Sequence, residues 1–194
     1  MPNEDVNMNL VLKVFYWMYS FSNIQLIILI VIAPLIWGVI CEIVFEKTDL
    51  KMKTWRIFCG VLLGGFVFVV FYITIGMRSA GERDICLLPF YSLLHLSGGS
   101  FQSTLLNVLL FEPIGMLAPY AFAREMQKNI GKEIVSCILI SVVIEMFQYI
   151  FQLGTTEIDD IIFNALGYVI GRMGVYGLLV LRSFGGENVD EHTK

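Results

Sequence analysis

Apolar residues run through this chain in five long stretches separated by short polar connections: roughly Ile24 to Val44, Trp55 to Gly76, Ser103 to Ala123, Glu133 to Leu153 and Ile158 to Leu181. Each is close to the roughly 20 residues that an α-helix needs to cross a bilayer. In lipid, such a run satisfies its backbone only as a helix. Ahead of them, Leu10, Val11, Val14, Phe15, Met18 and Phe21 recur at helical spacing and predict an interfacial helix. The expected fold is therefore all-α, a polytopic membrane helical bundle of about five transmembrane helices. A long loop, Met77 to Gln102, connects the second and third spans. The first run exceeds a signal-peptide core and no small-residue cleavage site follows it, so it reads as a retained anchor.

Composition agrees, with 57% hydrophobic and 15% charged residues and a mean hydropathy of +0.74. The polar stretches are too short to bury a core of their own. One membrane domain over residues 1–194 is expected, its motif-bearing core spanning about 55–182. The net charge of −4 gives no support to nucleic-acid binding. Cys41, Cys59, Cys86 and Cys137 have no CxxC spacing and sit mostly in apolar runs, so they read as small hydrophobic residues. No metal or other cofactor is expected. Lys47, Lys51, Lys53 and Arg56 fill the first connection and Arg124, Lys128 and Lys132 the third, whereas the second has Arg78 and Arg83 and the fourth none. The positive-inside rule then places the N-terminus outside and the C-terminus in the cytoplasm of a multi-pass cell-membrane protein.

That orientation collects the polar residues of the later runs on one side. Glu145 and Gln148 stand three apart, and Asp160 and Asn164 four apart, so each pair shares a helix face. Asn107 lies one turn into the third run, and Asp159 opens the fifth. Thr156 and Asp159 fit a capping box. Arg83, in the outer loop, is the cation expected to meet these acids, with Pro89, Gly98 and Gly99 folding the loop over them. Gly167, Gly171 and Gly174 form a small-residue stripe suited to close helix packing. Ionisable groups at membrane depth are functional-site candidates by default.

Four blocks carry a resemblance: ERDICLLPF from Glu82, NVLLFEPIG from Asn107, IEMFQ from Ile144 and IDDIIFNALGYVIG from Ile158. In this order and at these spacings they resemble the VanZ-like membrane proteins associated with teicoplanin resistance. The resemblance covers about half the chain, from Glu82 to Gly171. It assigns the motif positions to Arg83, Pro89, Asn107, Pro113, Gly115, Glu145, Gln148, Asp159, Asp160, Asn164 and Gly167. Cys86 stands where the family has Asn, and Glu112 where it has an apolar residue; Glu112 is expected to pair with Arg172. The resemblance implies a role in the cell envelope and in tolerance of lipoglycopeptides.

The candidate ligand-binding set is thus Arg83, Asn107, Glu145, Gln148, Asp159, Asp160 and Asn164, with Glu145, Asp159 and Asp160 as the candidate catalytic groups. Three mechanisms fit. In the first, acids and amides bind teicoplanin or a lipid-linked cell-wall precursor while apolar walls hold its chain. In the second, an intramembrane hydrolase or transferase uses Glu145 and Asp160 on a lipid headgroup or acyl bond, Glu145 serving as general acid or base and Asp159 and Asp160 able to take a divalent ion. The third is a small proton-coupled transporter, which needs polar groups through the full membrane thickness. Membrane lipids are the other expected partners, and whether the protein is an enzyme stays open on sequence alone.

Overall fold

The structure is a computed structural model that describes residues 21–47, 52–76, 78, 81, 84–94, 98–122 and 129–190. The interfacial helix expected from Leu10 falls, up to Ser20, outside the described residues, as do Glu82, Arg83 and His95. The described chain forms α1 (Asn23–Lys47), α2 (Met52–Phe71) continued by a π-helical turn (Tyr72–Gly76), β1 (Asp84–Cys86) and the short α3 (Tyr91–Leu94). It goes on through α4 (Gly98–Ala121), α5 (Ile130–Phe151), β2 (Thr155–Glu157) and α6 (Ile158–Asp190). The fold is an all-α membrane bundle. Among the described residues, four helical spans are long and apolar enough to cross a bilayer: Asn23–Cys41, Lys53–Gly76, Phe101–Ala121 and Ile130–Phe151. The fifth expected span is also helical, but α6 carries Asp159, Asp160 and Arg172 within its first fifteen residues and is less uniformly apolar.

α4 is the centre of the bundle, with α1, α2 and α6 packed around it and α5 lying on α6. Its contact with α6 is a backbone contact. A Cβ on Gly167 would overlap the Val108 carbonyl, one on Gly171 the Glu112 carbonyl, and one on Gly115 the Tyr168 carbonyl. Both partners advance by one turn together, so α4 and α6 run parallel, as helices separated by a single intervening antiparallel helix must. Gly174 continues the stripe against Pro34 of α1, where a Cβ would meet the proline ring. Close approach of this kind is how small residues bind helices in lipid, where burying apolar surface gives little.

Around this contact the apolar core has Phe111, Ile114 and Ala118 of α4 against Val70 of α2, Cys137 and Ile144 of α5 and Tyr168 of α6. The apolar side chains of α1, α2 and α5 that point away from this core are exposed, as lipid-facing residues are. Two features depart from the expected pattern. α4 begins at Gly98, five residues before the expected Ser103, so Gly98 and Gly99 belong to the helix rather than to the loop. β1 and β2 pair in parallel with Asp84 opposite Thr155, Ile85 opposite Thr156 and Cys86 opposite Glu157. Strands of three residues are too short to show a period-two pattern.

Candidate functional site

The polar groups gather where α2 and α5 end and α4 and α6 begin. α5 stops at Gln152, which adopts a left-handed conformation (φ 57°) and donates its N–H to the carbonyls of Gln148 and Tyr149. The chain turns at Gly154, whose φ of 114° favours glycine, and β2 carries it back beside the helix it has just left. That return brings the Glu157 N–H to within 3.1 Å of Glu145 Oε2, to which it donates. One turn on, Gln148 Nε2 donates to the Thr74 carbonyl at 3.0 Å, reaching a main-chain oxygen of the π-helical turn. Glu145 and Gln148 therefore do share a face, and it is buried against neighbouring backbone.

Asp160 and Asn164 share a side of α6 but serve different neighbours. Asn107 Nδ2 of α4 donates to Asp160 Oδ1 at 2.7 Å, whereas Asn164 Nδ2 donates to Ser141 Oγ of α5 at 2.7 Å. Asp160, Glu157 and Arg78 all lie near enough to Glu145 to act on it electrostatically, and Arg78 acts likewise on Asp160. Among the described residues, Arg78 is the cation of this end. Its Nη1 donates to the Leu153 carbonyl at 3.4 Å and lies beside Gly154. Sequence reasoning assigned the cation to Arg83, which is outside the described residues. The available signal for Arg78 was its place as the first cation after the second apolar run.

Asp159 is committed elsewhere. Its two carboxylate oxygens accept the backbone N–H groups of Phe90 (2.5 Å) and Ser92 (2.9 Å), and Ser92 Oγ donates to Glu157 Oε2 at 3.2 Å. These bonds fasten the Leu87–Leu94 segment over the start of α6, with Phe90 (φ 61°) set edge-on to Phe163. The expected capping box is therefore absent. Thr156 lies in β2, its buried hydroxyl has no partner among the described residues, and Asp159 points to the loop. Both oxygens of Asp159 thus take part in holding this loop. Ser92 and Glu157 were missed because their roles depend on a loop contact across more than 60 residues.

The expected Glu112–Arg172 pair is also replaced. Arg172 Nε donates to Glu133 Oε2 at 3.0 Å, and the Tyr168 hydroxyl donates to the same oxygen at 2.7 Å. Glu112 is almost fully buried beside Gly171, and its Oε1 has no partner among the described residues. Sequence placed Glu112 and Arg172 at similar depth, which they share, but depth does not set direction around a helix.

The VanZ/LLP1 family profile matches residues 57–181, which span every element from α2 into α6. The chain belongs to the VanZ/LLP1 family. It is 32% identical over 99 residues to "Protein VanZ" of Enterococcus faecium, a match covering 50% of this chain and 55% of that protein. The chain thus spans about half the length of the curated relative it matches. No solved structure matches it. The matched region contains the whole acidic end.

Chemically, this end is rich in acceptors. The carboxylates of Glu145, Glu157 and Asp160 stand with one described cation, and the buried Gln148 Oε1 and Asn164 Oδ1 have no donor among the described residues. Such a set favours a ligand that brings its own donors.

Proposed function

We propose that this VanZ-family membrane protein acts in the cell envelope and confers tolerance to lipoglycopeptides such as teicoplanin, by binding the drug or a lipid-linked envelope component at the acidic end of the bundle. The distribution of Lys and Arg in the connecting loops supports an outward-facing site. The observation that carries the reading is the surplus of acceptors around Glu145 and Asp160 over the single described cation Arg78. A ligand with amine or hydroxyl donors on a polar head and an apolar tail matches that surplus and the surrounding helix walls. The resemblance of the chain to VanZ-like proteins supplies the drug class.

The test is teicoplanin susceptibility of cells expressing the wild type, Glu145→Gln and Asp160→Asn at equal membrane abundance. Protection by the wild type and loss in both variants supports the reading. Saturable binding without turnover then keeps the protein a binding module, whereas conversion of a lipid extracted from those cells moves Glu145 and Asp160 to acid and base roles.

A proton-coupled transporter is the second reading, favoured by one observation. Polar groups continue down the bundle from Asp160 through the Asn164–Ser141 pair and the buried Glu112 to Tyr168, Glu133 and Arg172. Proton uptake by proteoliposomes that depends on Glu112 would support it over binding alone.

A further inference from the structure

The connection between the second and third spans has a feature that the proposed function does not use. Two contacts measure its depth. Glu145, whose Oε2 accepts the Glu157 N–H, stands six residues before α5 ends at Phe151, about 9 Å along that helix. Asn107, which donates to Asp160, stands nine residues after α4 begins at Gly98, about 14 Å along that one. Two helices of opposite direction thus hold the corner from Glu157 to Asp160 on the order of 10 Å below their ends.

The connection is attached to that corner. β2 runs inward from the Gly154 turn, and β1 is parallel to it, with Cys86 opposite Glu157. Beyond β1, Phe90 and Ser92 donate their N–H groups to Asp159, and the chain is back at the end of the bundle when α4 begins at Gly98. Irregular backbone reaches membrane depth only where the protein takes up its polar groups. Here the β1–β2 pairing and the Asp159 carboxylate do so, together with the turn in which Tyr91 donates to the Leu88 carbonyl and Leu93 and Leu94 to that of Phe90.

Sequence and exposure fit such a place. From Ile85 to Leu94 the chain reads ICLLPFYSLL, with no charged residue. Ser92 is buried and Leu93 packs on the apolar core of α1, α4 and α6. Leu87, Leu88 and Leu94 turn the other way and are 68%, 64% and 77% exposed, like Val61 and Phe68 on the lipid side of α2 at 70% and 71%. A contiguous apolar surface of this kind in water marks something that covers it.

We infer that Ile85–Leu94 is a re-entrant segment that dips into the bilayer and lays Leu87, Leu88 and Leu94 against lipid acyl chains. Its partner is the hydrocarbon that already surrounds the outer faces of α1, α2 and α5, with which this surface is continuous in depth. Asp159 is then the group that lets non-helical backbone sit there. The side of the acidic end covered by this segment faces lipid, not water. This inference does not rest on the function proposed for the acidic end.

The experiment is spin-label accessibility of the full chain in phosphatidylcholine proteoliposomes. Cys86→Ser leaves Cys41, Cys59 and Cys137, all buried, so that a nitroxide goes to one added cysteine at a time. Labels at Leu87→Cys, Leu88→Cys and Leu94→Cys should collide with dissolved oxygen in preference to a water-soluble nickel chelate, as a label at Phe68→Cys does. A label at Gly81→Cys should show the reverse preference, because Gly81 donates to the Gln152 carbonyl at the end of α5 and an added Cβ there meets nothing. All three leucines point away from the core, and a position that fails to accumulate leaves the other two to decide. Preference for the nickel chelate at these positions, as at Gly81→Cys, would put the segment in water and overturn the inference. Low access to both reagents would overturn it as well, by showing that protein, such as a second copy of the chain, covers this surface.

Discussion

Glu133 Oε2 and Arg172 Nε lie 3.0 Å apart, with side-chain exposures of 2% and 8%. A pair so enclosed is tied to the position of α5 against α6, two helices that also meet through Tyr168–Glu133, Cys137–Asn164, Ser141–Asn164 and apolar contacts. Removing one partner of a buried pair strands the other and costs about 3–5 kcal/mol, whereas removing both can be nearly neutral. Arg172→Met should therefore lower the melting temperature of the detergent-purified protein sharply, and Glu133→Leu with Arg172→Met should recover most of the loss. Tyr168→Phe removes only one donor and should cost about 1 kcal/mol. Wild-type melting of Arg172→Met would show that the pair does not hold this end together.

Gly167 gives a more local test. Its missing Cβ is where the Val108 carbonyl sits, so Gly167→Ala must push α4 from α6, an overpacking cost of about 1–3 kcal/mol. Gly171→Ala meets the Glu112 carbonyl and should behave alike. Gly64→Ala and Gly177→Ala, which have open space around the added carbon, should melt as the wild type does. The four melting curves, measured side by side, decide it; equal stability throughout would mean that the helices are not in backbone contact.

The helices and this glycine stripe were legible because they depend on composition and on one repeating period. Apolar length identifies a spanning helix without knowledge of its neighbours. Glycines one turn apart mark a close approach without naming the partner. The pairings were less legible. Asp159 has a ready local explanation as a cap, yet its oxygens go to Phe90 and Ser92, which a loop of unknown path brings back. Arg172 has two acids at usable depth, and its choice of Glu133 over Glu112 follows from which way each side chain leaves its helix. Arg78 needed the Leu153–Gly154 turn before it could be placed near the acids.

Asp159 should be separable from Asp160 by hydrogen exchange. Each of its two bonds joins a backbone N–H to an acidic oxygen, and such bonds are worth about 1.5–3 kcal/mol apiece. Asp159→Ala should make the amides of Phe90 and Ser92 exchange faster, with the change confined to the Leu87–Leu94 segment. Asp160→Asn should leave those amides protected. Faster exchange across α4 and α6 in Asp159→Ala would instead mean that the loop and the helices unfold as one unit.

The Asn107–Asp160 contact allows charge to be moved while the bond is kept. Asp160→Asn places two amides together across α4 and α6, and Asn107→Asp places two acids together, which should destabilise the pair by like-charge repulsion. Exchanging the two residues restores one donor and one acceptor at the 2.7 Å contact, so the double variant should melt nearer the wild type than Asn107→Asp does. Teicoplanin susceptibility then separates two uses of the acid. If negative charge in the pocket attracts the ligand, the exchanged protein protects cells and Asp160→Asn does not, which is the expected result. If neither protects, the carboxylate acts at one position on α6, as a proton carrier or a directed acceptor must. Full protection by Asp160→Asn alone would leave the carboxylate with no part in the envelope function, and the bond to Asn107 would be a helix contact only.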